Sequence, residues 1–211
     1  METIDRVIYI NLAHRMDRRE QIEKELSIFP SEKIVRFDAI KHEKGGIGCS
    51  MSHIGALELA IQNKWKNVLI VEDDMEWNDF QNGCKILSNL VTRPYDVIML
   101  NGHRVFYNSQ TYKLKKCLAR TAYLVSNHYF QMLIQNYKEG INNLKRSYID
   151  IHRGDNYWNR LQEKDNWYII PYMCKQRPSF SDIEQCVVDY KDCVAPEKPR
   201  FGFNRNVRFI P

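Results

Sequence analysis

Three carboxylates in a row, Glu72, Asp73 and Asp74, follow directly on the apolar run Val68, Leu69, Ile70 and Val71. Adjacent carboxylates resist ionising together unless a cation is close by. Hard divalent cations such as Mg2+ and Mn2+ take oxygen ligands and often bridge a phosphate. A buried strand that ends in three acids therefore points to a metal–diphosphate site. The structural alternative is a solvated turn in which one acid caps the helix after Trp77. A second polar group also trails an apolar run. Asn11 and Leu12 lead into Arg15, Asp17, Arg18 and Arg19. Arg15 and Arg18 lie three apart at a helix start and share a face. There their guanidinium groups can clamp a phosphate or pair with Asp17. The third group is GGIGCSMSH at 45–53. It has neither the GKS/T ending of a P-loop nor the GxGxxG spacing, yet it suits close approach of backbone amides to an anion at a helix N-terminus. Cys49 and His53 fall at i, i+4, a spacing that can hold zinc, but two further ligands at matching spacing are missing from the sequence. His53 then reads as a polar group that orients the site.

The elements needed to position these groups alternate in type. Residues 7–12, 33–40, 67–71 and 96–100 read as strands, and those at 67–71 and 96–100 lack alternation, so they are buried on both faces. Residues 16–28, a segment after the glycines with Ile54, Leu57 and Ile61 on one face, and 80–91 read as helices. Gly45 to Gly48 reads as a loop, with Ser50 or Ser52 capping the helix that follows. Such alternation predicts an α/β fold with a mostly parallel sheet flanked by helices, and ligands in such sheets sit at the carboxyl ends of the strands. The second half is less regular. Residues 112–117 and 120–126 read as a strand pair. Residues 127–137 read as a helix with Gly140 as its C-cap, residues from 155 as the start of another, and 167–170 as a strand. Everything after 179 reads as loop-rich. The division expected is a single domain, with 1–101 and 102–185 as its halves and 186–211 as a tail that packs on the body or lies loose.

Composition narrows the partners. A formal charge of +5 suits an anionic small ligand, and no Lys/Arg run with interleaved aromatics marks a nucleic-acid surface. No apolar run approaches the roughly 20 residues of a membrane helix, although a peripheral membrane contact stays compatible. Residues 1–5 carry no basic-then-apolar pattern, so no signal peptide is expected. Six scattered cysteines without a CxxC pair fit reduced thiols and a cytoplasmic setting; Cys186 and Cys193 are close enough in sequence to pair on oxidation.

VIYINLAHRMDRR (7–19), RFDAI (36–40), GGIGCSMSH (45–53) and VLIVEDD (68–74), in that order and spacing, resemble glycosyltransferase family 25. This family includes bacterial lipooligosaccharide galactosyltransferases and collagen galactosyltransferases. The later DVIML, ARTAYLVS, SYIDI and PSFSDIE resemble its remaining blocks more loosely, and the resemblance runs over most of 5–184. It implies a GT-A-like fold, a nucleotide-sugar donor (usually UDP-galactose), a divalent metal (Mn2+, with Mg2+ as the alternative) and inversion at the anomeric carbon. It also implies that Asp73 and Asp74 stand where the family holds its metal. On the donor side the candidates are Asn11, Leu12, Arg15, Arg18, Ser52, His53 and Glu72. The acceptor would be a glycan or the hydroxylysine of a collagen-like protein.

An acceptor hydroxyl must lose its proton as it attacks, so a carboxylate outside the metal site is needed as base. The second half offers Asp150, Asp155 and Asp182. The resemblance points to Asp150, but His152-Arg153-Gly154-Asp155 departs from the family's pattern, which leaves Asp150 and Asp155 both open. Tyr157 or Trp158 could stack on the sugar, although core packing is the favoured use of both. Two other classes use the same residues: a metal-dependent phosphohydrolase or nucleotidyltransferase, and a non-catalytic nucleotide-sugar-binding relative.

Overall fold

The computed structural model describes residues 3–189 and 207–210. At its centre is a six-stranded sheet in the order β2-β1-β3-β8-β5-β9. Its strands are β1 (Arg6–Asn11), β2 (Ile34–Asp38), β3 (Asn67–Glu72), β5 (Val97–Met99), β8 (Ala122–Ser126) and β9 (Trp167–Ile169). β1 pairs parallel with β2 and β3, and β5 pairs parallel with β9. β8 lies antiparallel between β3 and β5. The sheet is therefore mostly parallel with helices on both faces, as the strand–helix alternation predicts.

The pleat sends alternate residues to opposite faces. Ile8, Ile10, Val68 and Ile70 pack with helices α2 (Gly45–Gln62) and α4 (Phe130–Arg146). Val7, Tyr9, Leu69 and Val71 pack with α1 (Met16–Leu26) and α3 (Phe80–Leu90). Both faces are covered, so the strands need no polar side, and this is why their sequences run apolar without alternation. Among the described residues, no helix is long and apolar enough to cross a membrane.

Four local expectations change. Gly45 to Gly48 is the first turn of α2 and not a loop. Ser50 and Ser52 consequently lie inside the helix, where their hydroxyls donate back to the carbonyls of Gly46 (3.0 Å) and Gly48 (2.8 Å) and do not cap it. The 112–126 region is not a strand pair. β7 (Leu114–Leu118) turns back on β6 (His103–Asn108), while β8 enters the central sheet. Gly140 is mid-helix: α4 runs on to Arg146, and a Cβ at Gly140 would come within 3.1 Å of the His152 carbonyl. Finally, the segment after 179 contains a hairpin of β11 (Ser179–Ser181) and β12 (Cys186–Val188). Part of the expected tail is the strand β13 (Val207–Ile210), paired with β6. Residues 190–206, and with them the Cys186–Cys193 pairing, lie outside the described residues.

The contact of α2 with the edge strand β2 depends on Gly55, because a Cβ there would land on the Phe37 ring. A Gly→Ala change inside a helix ordinarily stabilises by about 1 kcal/mol, but overpacking costs about 1–3 kcal/mol. We expect Gly55→Ala to destabilise the protein by about 1 kcal/mol in urea unfolding, and Phe37→Leu to relieve the loss. A stabilised Gly55→Ala would show that the helix does not seat on Phe37.

Candidate functional site

A cavity of about 840 Å³ opens at the carboxyl ends of β1 and β3, and Glu72, Asp73 and Asp74 all stand on its wall. The three acids take different partners. Glu72, the last residue of β3, turns toward α2. There it accepts from His53 Nε2 (3.2 Å) and from the Cys49 thiol (3.4 Å). Burial pushes this carboxyl up, but the His53 bond, the nearby Arg120 charge and the thiol outweigh it and hold it at about 2. Burial pushes the His53 imidazole down. A neutral ring protonated at Nε2 satisfies both its contacts, donating to Glu72 and accepting from Tyr123 Oη at 3.0 Å.

Asp73 and Asp74 turn toward α1. Asp73 accepts from Asn11 Nδ2 (2.8 Å) and Arg18 Nη1 (2.9 Å). Asp74 accepts from the same Arg18 nitrogen (3.3 Å) and from Gln176 Nε2 (2.9 Å) on β10 (Cys174–Gln176). Burial raises both carboxyls; for Asp74 the charge of Glu72 adds to it, lifting the group to about 7 against the pull of Arg18. Asp74 Oδ1 and Arg18 Nε are both buried without a hydrogen-bond partner among the described residues. An orphan carboxylate oxygen beside a second carboxylate is a hard-oxygen donor set that fits Mg2+ or Mn2+, and Arg18 supplies the positive charge between them.

The remaining sequence candidates are distributed around the same cavity. Leu12 and Ser52 line it. Ser52 Oγ also accepts from the Ile40 amide at 2.8 Å and so fixes the 38–42 segment. Arg15 and Arg18 share a face, as their spacing predicts, and both reach the β11 strand. Arg15 pairs with Asp17 (2.8 Å) and Asp182 (2.7 Å), and Arg18 bonds Ser179 Oγ (2.6 Å) and the Phe180 carbonyl (2.9 Å). Arg153 holds Glu184 at 2.5 Å. Three arginines thus fasten the β11–β12 hairpin across the cavity. Asp150 sits at the rim with its side chain 81% exposed, paired with Arg153 at 3.2 Å. Asp155 is less exposed and accepts from the Ala119 amide at 3.3 Å. Trp158 is fully buried against Tyr123 and Trp167, as core packing requires.

Sequence reading missed Arg120. It lies on the cavity wall, 7% exposed, bonded to Ser50 Oγ (3.2 Å) and over the Tyr137 ring (6.0 Å). Among the described residues it has no carboxylate within ion-pair distance. Gly154 makes room for it, since a Cβ there would land on Arg120 Nη1. The preceding Ala119 is held at φ 85°, a left-handed conformation that a non-glycine residue adopts at a cost. A single arginine before a strand carries no sequence pattern by which to find it.

No protein-family model matches the chain. A glycosyltransferase 25 family member from Drosophila melanogaster is 30% identical over 138 residues, covering 51% of this chain and 22% of its own length. The chain thus matches about a fifth of that relative. The solved structure of a glycosyltransferase involved in the glycosylation of the major capsid of PBCV-1 superimposes with a TM-score of 0.51 at 7% identity. That superposition covers 78% of this chain and 80% of the other. The fold is therefore GT-A-like.

The raised Asp74 has a consequence for stability. Its folded value, about 7, exceeds the ordinary 3.8, so the stability it contributes is full below about pH 4 and is lost as pH rises through 7. We expect Asp74→Asn to stabilise the metal-free protein at pH 8 relative to the parent, by on the order of 2 kcal/mol, and to lose that gain near pH 4. Urea unfolding at both values measures it. An equal effect at the two pH values would mean that the Asp74 carboxyl binds its proton equally in the folded and unfolded chain.

Proposed function

We propose that the chain is an inverting glycosyltransferase that moves a sugar, galactose on the family resemblance, from a UDP-sugar to an acceptor hydroxyl on a glycan or a collagen-like hydroxylysine. The observation that carries this reading is the large cavity at the strand ends, lined by the paired buried aspartates and by the buried Arg120, which has no ion-pair partner among the described residues. A diphosphate bears negative charge that both a cation at Asp73 and Asp74 and the Arg120 guanidinium can meet.

A bound divalent cation, Mn2+ or Mg2+, would supply charge neutralisation for the departing UDP. The residues of the chain do the rest. Asp73 and Asp74 would hold the cation, Asn11 orients Asp73, and Arg120 stabilises charge that grows on the leaving diphosphate. Asp155 takes the proton from the acceptor hydroxyl at its Oδ1, which has no hydrogen-bond partner among the described residues. Two observations favour Asp155 over Asp150. Its other oxygen is anchored on the strained Ala119 amide, and it lies on the Arg120 side of the cavity, whereas Asp150 is largely in solvent. A cytoplasmic setting accords with the free cysteines among the described residues.

A UDP-sugar panel assayed for transfer to galactosyl and hydroxylysyl acceptors, with and without Mn2+, tests the reading. Asp155→Asn should lower transfer by about 100-fold or more, within the range for a general base, while UDP binding stays within about twofold. Asp150→Asn should have a smaller effect. Release of UMP and sugar 1-phosphate without any transfer would instead assign phosphohydrolase chemistry, and full transfer by Asp155→Asn would remove it as base.

A further inference from the structure

We infer that Cys49, His53 and Glu72 form a three-ligand site for a borderline-soft divalent cation of the zinc class, distinct from the hard-oxygen pair Asp73 and Asp74. Their donor atoms all lie within 4.8 Å of one another. Two of the three edges are 3.2 Å, from His53 Nε2 to Glu72 Oε1, and 3.4 Å, from Cys49 Sγ to the same oxygen. Tetrahedral zinc, with bonds of about 2.0–2.3 Å, sets its ligand atoms roughly 3.3–3.6 Å apart. Two edges are already close to that spacing, and the third, from Cys49 Sγ to His53 Nε2, is no longer than 4.8 Å.

The scaffold is rigid. Cys49 and His53 are one turn apart on α2, and Glu72 ends a central strand. The Glu72 carboxylate is the third ligand that the local sequence spacing of Cys49 and His53 does not supply. His53 is fully buried, and its second nitrogen lies 3.0 Å from Tyr123 Oη. Once the metal takes the place of the Nε2 proton, Nδ1–H can donate to Tyr123, the outer contact that metal-bound histidines make. The thiolate selects against Mg2+ and Mn2+ and for zinc. A dication with one thiolate and one carboxylate makes a neutral cluster, so the loaded site carries no net positive charge beside Arg120. Binding releases the Cys49 thiol proton to solvent. Cys49 and Glu72 face the cavity while His53 lies behind them, which leaves the fourth position open to water or to a ligand oxygen.

The test uses Co2+ as a spectroscopic stand-in for zinc on the full chain after chelator dialysis. One equivalent of Co2+ should give a near-ultraviolet thiolate charge-transfer band and intense tetrahedral visible bands, both displaced by Zn2+. Cys49→Ser should abolish the charge-transfer band, Tyr123→Phe should weaken Zn2+ binding by roughly 10- to 100-fold, and Asp74→Asn should leave the spectrum intact. Circular dichroism establishes that each variant folds. If a variant does not fold, protection of Cys49 in the parent chain from alkylation by Zn2+, mapped by peptide mass spectrometry, decides. Absence of the band in the parent, its persistence in folded Cys49→Ser, or unprotected Cys49 would overturn the site and leave a hydrogen-bonded trio only.

Discussion

The strand β3 delivers three consecutive carboxylates to one cavity wall, and most of the surrounding polar structure answers that charge. The three acids do not share one counter-charge: Glu72 turns to one side of β3, while Asp73 and Asp74 turn to the other and share Arg18. Glu72 is met from α2 by His53 and Cys49, with Arg120 beyond. Asp73 and Asp74 are met from the other side by Asn11 of β1, Arg18 of α1 and Gln176 of β10. Gln176 alone lies 102 residues from the Asp74 it meets. The site therefore exists only when the sheet is assembled.

This arrangement also explains the second half of the chain. β8 enters antiparallel between β3 and β5, and the turn before it carries Ala119 and Arg120 to the cavity. The β10 strand pairs with β4 (Met75–Trp77), immediately after the acids, and thereby brings Gln176 to Asp74. The β11–β12 hairpin follows and is held over the opening by Arg15, Arg18 and Arg153. Under the proposed function these arginines meet internal carboxylates and carbonyls where a donor's phosphates would compete for them.

The first half of the fold was legible because its signals are local. Buried strands without alternation, helices with one apolar face and acids directly after a strand each follow from short-range chemistry, and β1, β2, β3, α1 and α3 lie where their patterns put them. The second half depends on pairings that no local pattern encodes. Residues 122–126 are apolar enough for any central strand, and nothing in them specifies insertion between β3 and β5. The glycines at 45–48 read as a loop because glycine disfavours helix. In the fold they permit close approach, as at Gly48, where a Cβ would lie 2.6 Å from the Ile40 carbonyl. Among the candidate residues, the acids are marked in the sequence by their place after a strand, and Arg15, Arg18, Cys49 and His53 by their spacing. The splitting of the acids into two groups, and the buried Arg120, needed three dimensions.

The central claim is that Asp73 and Asp74, and not Glu72, form the hard-cation pair that serves a nucleotide donor. Anomalous diffraction from crystals grown with Mn2+ and UDP tests it most directly. The account predicts a manganese peak bonded to the Asp73 and Asp74 carboxylates and to diphosphate oxygens, with Arg18 displaced from between the two aspartates. A manganese peak at Glu72 with Arg18 still bound to both aspartates would contradict it.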